Sequence, residues 1–181
     1  MKIYTRTGDD GTTGLIGGLR VEKDSPMIEL VGALDELNTA LGHVRVMTSD
    51  SPLDFLLTRL QAIVFEIGAE VSSPHEHRQS HTARLGSIVE SLERSIDMQW
   101  QLLPDLKNFV LPGGCELASR LHWARCLCRR AERQIVLFAR DSSVRPELLA
   151  VLNRLSDWLF VAARSANHDL GFDEPVWSKE D

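Results

Sequence analysis

An all-α fold, a five-helix antiparallel bundle preceded by a flexible N-terminal loop, is the architecture this sequence predicts. Five stretches repeat apolar residues at steps of three and four, prolines stand where helices would begin, and no stretch alternates convincingly as a strand does. Residues 5 to 18, TRTGDDGTTGLIGG, stand apart. They set Gly8, Gly11, Gly14, Gly17 and Gly18 among Thr and Asp with almost nothing to bury, which predicts a loop.

The helices follow in order. From Pro26 to about Thr48, Val31, Leu34, Leu41 and Val44 keep helical spacing. Pro52 opens a second stretch to about Val71, marked by Leu56, Leu60, Ile63 and Ile67. The polar segment Ser72 to His81 carries three of the six histidines and reads as a solvated loop, with a metal site as the competing reading. Leu85, Ile88, Leu92, Ile96 and Trp100 give a third helix from about Ala83 to Leu103, stopped by Pro104. Phe109 to Gly114 is an apolar turn. Beyond it Leu117, Leu121, Ala124, Cys128, Ala131, Ile135 and Phe138 form the seam of a long fourth helix. Pro146 starts the fifth, with Leu148, Leu152, Leu155, Leu159 and Ala162 inward.

A length of 181 residues predicts one domain, 1–181, divided into a loop at 1–25, a bundle at 26–170 and a tail at 171–181. The net charge of -6 argues against a nucleic-acid binder, so any basic patch must be local. Cys115, Cys126 and Cys128 suit no internal disulfide framework and read as small core thiols rather than a metal site. With neither an apolar leader near Met1 nor a membrane-length apolar run, the expected location is the cytoplasm.

Helix four is where chemistry concentrates. It carries Arg120, Arg125, Arg129, Arg130, Arg133 and Arg140, a density out of keeping with an acidic chain. Arg125, Arg129, Glu132 and Arg133 project from neighbouring positions on one side and can converge on an anion. Guanidinium forks suit phosphate oxygens. The competing reading is a solvated face paired with Glu116 and Glu132. Helix five adds Asn153, read as a buried-edge amide, with Arg154 and Asp157; helix one adds Asp35, Glu36 and Asn38, Asp35 being a candidate partner for a helix-four arginine. The glycines of the N-terminal loop allow backbone N–H groups to surround a phosphate, with hydroxyls from Thr5, Thr7, Thr12 and Thr13 and a cation from Lys23. Neither a Walker loop nor a dinucleotide fingerprint is present; a merely flexible arm is the alternative.

Taken together, TRTGDDGTTGL at 5–15, GALDELNTALG at 32–42, FVLPGG at 109–114, LHWARCLCRRAER at 121–133 and LNRLSDWLF at 152–160 resemble the PduO-type corrinoid adenosyltransferases. The resemblance implies a ferritin-like bundle that transfers the 5'-deoxyadenosyl group of ATP to cob(I)alamin, an activity of the cob(I)yrinic acid a,c-diamide adenosyltransferase type. It implies a homotrimer with sites between subunits, the N-terminal loop of one folding over ATP. Carried over by position, Thr5, Arg6, Thr7, Gly8, Thr13, Gly14 and Lys23 would contact ATP from the loop, and Arg129, Arg130, Glu132, Arg133 and Asn153 from the helices. Asp35 and Arg125 match a pair that bridges subunits. Phe109 matches the aromatic beneath the corrin that excludes its lower axial ligand. Mg²⁺ is implied with ATP, and K⁺ as an optional further cation. Glu22 departs from the pattern, standing where many relatives have proline, and leaves the path of residues 18–24 open. His122 and Trp123 read as packing residues.

With Co(I) itself the nucleophile, such a protein needs no catalytic base; it must align cobalt with the ribose carbon and stabilise the leaving triphosphate. The runner-up reading is a non-catalytic nucleotide- or cobalamin-binding chaperone or sensor that delivers cofactor to a client enzyme. A reductase is a further expected partner. A di-iron bundle would need Glu-x-x-His motifs, which the sequence lacks.

Overall fold

The computed structural model describes residues 3–15, 17–49, 51–73 and 85–178. Most of the histidine-rich segment lies outside the described residues. The helices are α1 (Pro26–Arg45), α2 (Pro52–Val71), α3 (Leu85–Trp100), α4 (Glu116–Phe138) and α5 (Pro146–Asp169). Prolines open α1, α2 and α5, where a missing N–H costs no helical hydrogen bond. Among the described residues two side chains cap helix N-termini: Ser51 Oγ accepts from the Asp54 N–H at 3.2 Å, and Cys115 Sγ from the Ala118 N–H at 3.3 Å. α1 ends short of Thr48 because residues 46–48 continue as turns.

The N-terminal segment is more ordered than a plain loop. Strands β1 (Thr12–Gly14) and β2 (Arg20–Glu22) pair antiparallel, Thr12 opposite Glu22 and Gly14 opposite Arg20. Three-residue strands are too short for alternation to reveal. Gly17 and Gly18, at φ of 92° and 86°, make the turn in a region that disfavours side chains. This hairpin is also the path of residues 18–24 that Glu22 left open.

The chain reverses direction from helix to helix, and the packed order is α2, α1, α4, α5, α3. α1 and α2 are pinned near the middle of their contact and at the end beside their connecting loop. Gln61 Nε2 donates to the Asn38 carbonyl at 2.9 Å, and Arg45 Nε to Asp54 at 2.7 Å. α4 and α5 meet at Cys128, whose thiol donates to the Leu152 carbonyl at 3.2 Å. α3 lies parallel to α5: Glu93 meets Arg154, and Ser95 Oγ accepts from the Trp158 indole N–H at 3.0 Å. α4 is thus flanked on both sides, which is why Leu121, Ala124, Cys128, Ala131 and Ile135 are all wholly buried. The expected seams of α4 and α5 are otherwise buried, save that Leu117 is only half so. Ile96 and Trp100 face a groove instead.

Cys115 and Cys128 are core thiols as expected, but Cys126 is exposed, because it points away from the α4 seam. Burial pushes the Cys128 thiol far above the ordinary range. The described tail, residues 172–178, folds back on the Phe109 turn. The Leu111 N–H donates to the Pro175 carbonyl at 2.7 Å and the Trp177 N–H to the Phe109 carbonyl at 2.8 Å. No helix among the described residues is long and apolar enough to cross a membrane.

Candidate functional site

The basic stripe of α4 divides between two neighbours. Arg125 and Arg129 line a cavity of about 520 Å³ with Asp97 and Trp100 of α3 and Arg154 and Phe160 of α5. The Arg125 guanidinium lies 5.8 Å from the Phe160 ring centre, and its Nε is buried without a partner. One turn above, Glu132 Oε1 accepts from Asn153 Nδ2 at 2.9 Å. Asn153 is exposed rather than buried at an edge, since α5 turns it out beside Glu132. Arg133 is exposed on the same helix. Arg130 instead faces α1 and pairs with Glu36 at 3.3 Å. Arg120 pairs with Glu116 at 2.5 Å and donates to the His43 carbonyl, so the solvated-face reading holds for that arginine.

The hairpin gathers the N-terminal candidates. Lys23 Nζ donates to the Gly8 carbonyl at 2.6 Å, and the Thr5 and Thr7 hydroxyls are 2.9 Å apart. Arg20 donates to the Thr7 carbonyl and the Thr12 hydroxyl and sits 3.6 Å from Asp10. Hydrogen bonds from the Thr12 backbone N–H and then its hydroxyl hold the Asp10 carboxyl below its ordinary pKa. Arg6 adopts φ of 62°, a left-handed conformation that is strained for a side-chain-bearing residue, with its guanidinium 5.7 Å from the Tyr4 ring.

Thr13, Gly14 and Lys23 line a second cavity, about 470 Å³, and Asp35 of α1 joins them there. Within one chain Asp35 therefore lies with the hairpin and not with Arg125. The α1 carboxylate that meets an α4 arginine is Glu36, one residue on. The candidate residues form two half-sites, one around the hairpin and α1, the other on α4 and α5.

Phe109 lies 79% exposed at the tip of the turn before α4, its ring 6.5 Å from that of Trp177. The foot of that turn is fixed by Asn167, which is wholly buried. Its Oδ1 accepts from the Cys115 N–H at 2.8 Å and its Nδ2 donates to the Gly113 carbonyl at 3.0 Å. Gly114 has φ of 98° against the same amide. His122 is 2% exposed with neither ring nitrogen partnered, and burial, then the nearby Arg125 charge, pushes its pKa below the ordinary value. Trp123 is packed only in part: it is 48% exposed beside His43.

Sequence reasoning missed Arg20, Phe160, Arg164 and Asn167. An arginine inside the apolar run VAARSAN was the available signal for Arg164. Arg20 carried none, because its hairpin was not foreseen. Among the described residues no cluster of three or more His, Cys, Asp or Glu could hold a metal ion.

The chain is 44% identical over 170 residues to the corrinoid adenosyltransferase PduO of Salmonella typhimurium, covering 93% of this chain and 51% of that one; it thus spans about half the length of that relative. It is 39% identical over 183 residues to a corrinoid adenosyltransferase of Bacillus subtilis, covering 99% of this chain and 93% of the other. A phenylalanine-to-alanine variant of a PduO-type ATP:corrinoid adenosyltransferase from Lactobacillus reuteri, solved with cobalamin and ATP, superposes with a TM-score of 0.92 at 36% identity, covering 98% of this chain and 100% of that one. The cobalamin adenosyltransferase family model matches residues 3–166. With that match spanning the hairpin, the basic helix and most of α5, the chain belongs to the cobalamin adenosyltransferase family.

Proposed function

We propose that this protein transfers the 5'-deoxyadenosyl group of ATP to cob(I)alamin, releasing triphosphate. The observation that carries the reading is an ordered series: Phe109 on the turn that leads into α4, then along α4 and α5 Arg125 with Phe160, Arg129, and Glu132 with Asn153. From Arg125 to Arg133 the helix rises only ~12 Å, so an apolar contact and an anion clamp lie within reach of one corrin and one nucleotide.

In this reading Co(I) attacks the ribose 5'-carbon with its electron pair, the carbon–oxygen bond breaks, and that pair leaves with triphosphate. Arg129, Arg133 and Lys23 stabilise the departing charge. Arg130, Glu132 and Asn153 orient the nucleotide, while Thr5, Arg6, Thr7, Gly8, Thr13 and Gly14 close over it. Phe109 keeps the lower face of cobalt free of a ligand and so eases reduction of Co(II). Glu132 and the Asn153 carbonyl oxygen are hard oxygen donors on this face. They fit Mg²⁺ carried largely by phosphate oxygens, which would add positive charge beside the leaving group; K⁺ would draw on the same donors.

The two half-sites motivate a homotrimer in which the hairpin of one copy closes on the α4 face of the next, with Asp35 of one copy pairing Arg125 of its neighbour. Light scattering on the eluted protein measures this, and a monomer with full activity would refute it. A cytoplasmic location and exchange with a reductase and a client enzyme belong to the same proposal. The deciding experiment is anaerobic incubation with ATP and cob(I)alamin, with the visible spectrum and free triphosphate followed together. Equimolar adenosylcobalamin and triphosphate are expected; binding without either product would leave only a delivery role.

A further inference from the structure

We propose that Arg164 and Glu174 form a buried latch that positions the Phe109 turn, an inference that rests on the role given above to Phe109. Arg164 is 1% exposed, and a buried guanidinium demands partners. It has them on three sides, while its Nη1 is buried without a hydrogen-bond partner. Its Nε donates to the Glu174 carboxylate at 2.9 and 3.0 Å and its Nη2 to Glu174 at 3.0 Å. The same Nη2 donates to the Pro104 carbonyl at 2.8 Å, and the guanidinium stacks 5.0 Å from the Trp100 ring centre.

Each partner belongs to a different segment. Trp100 ends α3, Pro104 begins the connection to α4, and Glu174 lies on the tail. Arg164 therefore ties the entry of the Phe109 turn and the strap that crosses it to one point on α5. The strap transmits this through backbone bonds, since Pro175 accepts from Leu111 and Trp177 donates to Phe109, with the Trp177 ring against the Phe109 ring. One turn along α5, Asn167 fixes the exit of the turn at Gly113 and Cys115 and accepts from the Phe172 N–H at 2.8 Å. The Phe109 tip itself is largely exposed, so its position is set by these anchors rather than by packing. Arg164 touches no reacting atom in the proposed reaction. It is a positioning residue, as is Glu174.

Glu174→Gln is the test, since it removes the carboxylate charge that balances Arg164 while keeping the side chain's shape, and the residue lies outside the helical core. Hydrogen exchange reads the latch without any substrate. Exchange at Leu111 and Trp177 should quicken about tenfold or more in the variant, with α1 and α2 unchanged. Unchanged exchange at those two amides would overturn the proposal. Kinetically, the variant should lose about tenfold in turnover from Co(II) substrate under a reductant, yet keep its KM for ATP and its rate with prereduced cob(I)alamin, which has no lower ligand to remove. Equal loss on both routes would overturn the latch in favour of a general structural role. Phe109→Ala separates the two readings. If it lowers the Co(II) route and Glu174→Gln does not, the latch falls; if Phe109→Ala leaves that route intact while exchange rises in Glu174→Gln, the role of Phe109 falls and the latch stands as the anchor of the turn.

Discussion

The hairpin and α4 carry the two halves of the proposed nucleotide site, and they are built in opposite ways. Residues 5–23 are mostly exposed and are held by short-range polar bonds, chiefly Arg20 to Thr7 and Thr12 and Lys23 to Gly8. α4 is enclosed by α1 and α5, with a continuous buried seam beneath its arginines. A reacting pair must be aligned on something stiff, and a ligand must be admitted by something that can part; in the proposed site the two regions would divide these duties. Residues beneath the α4 arginines should therefore govern stability, and those of the hairpin affinity.

The sharpest break of this comparison is Leu121→Ala. Leu121 is wholly buried in the α4 seam, so its loss should cost about 2–5 kcal/mol in thermal or urea unfolding. A loss below about 1 kcal/mol would mean that α4 is not the rigid half. Arg129→Ala should weaken ATP binding by about 1.5–3 kcal/mol in titration calorimetry, with the melting temperature nearly unchanged because the side chain is exposed. Unaltered ATP affinity and turnover would remove Arg129 from the site.

Beneath the arginines, His122 makes the rigid half sensitive to acid. Its folded pKa is depressed by burial, so the unfolded state takes up the proton first. The stability this contributes is present above the unfolded value near ~6.5 and is lost as pH falls through the folded one, by at most about 1.4 kcal/mol per pH unit. His122→Phe should flatten the slope of unfolding free energy below roughly pH 6.5; an unchanged slope would show that another group carries it. The smallest effect belongs to the hairpin. Arg20→Ala should raise the KM for ATP by about fivefold, on the order of one hydrogen bond, and leave the melting temperature where it was. A lowered melting temperature with normal KM would reverse the roles assigned to the two regions.

What could be read from the sequence follows the same division. The seams of α4 and α5 were legible because each turn repeats the same demand, burial of an apolar side chain at steps of three and four. The glycines and threonines marked residues 5–18 as a candidate phosphate cradle, which remains part of the proposed site, but the hairpin's strands were not legible, since three residues give no period. The splitting of the arginines was hidden for another reason. Arg129 and Arg130 are adjacent in sequence, yet ~100° of helical rotation sends one toward α5 and the other to Glu36 on α1. Asp35 likewise turned toward the hairpin, because which neighbour an outward residue meets depends on the order of packing, which periodicity does not encode. Arg164 and Asn167 act on segments more than 50 residues away in sequence, Pro104 and Gly113, and only the folded chain brings these together.

Gly114 bears on how such a protein could be redesigned. A methyl group at its α-carbon would fall 2.1 Å from the Asn167 side-chain oxygen, in a backbone conformation that alanine also resists. Libraries aimed at altered corrinoid selectivity should therefore leave residues 113–115 untouched and place their diversity at 105–108, where every side chain is already in solvent.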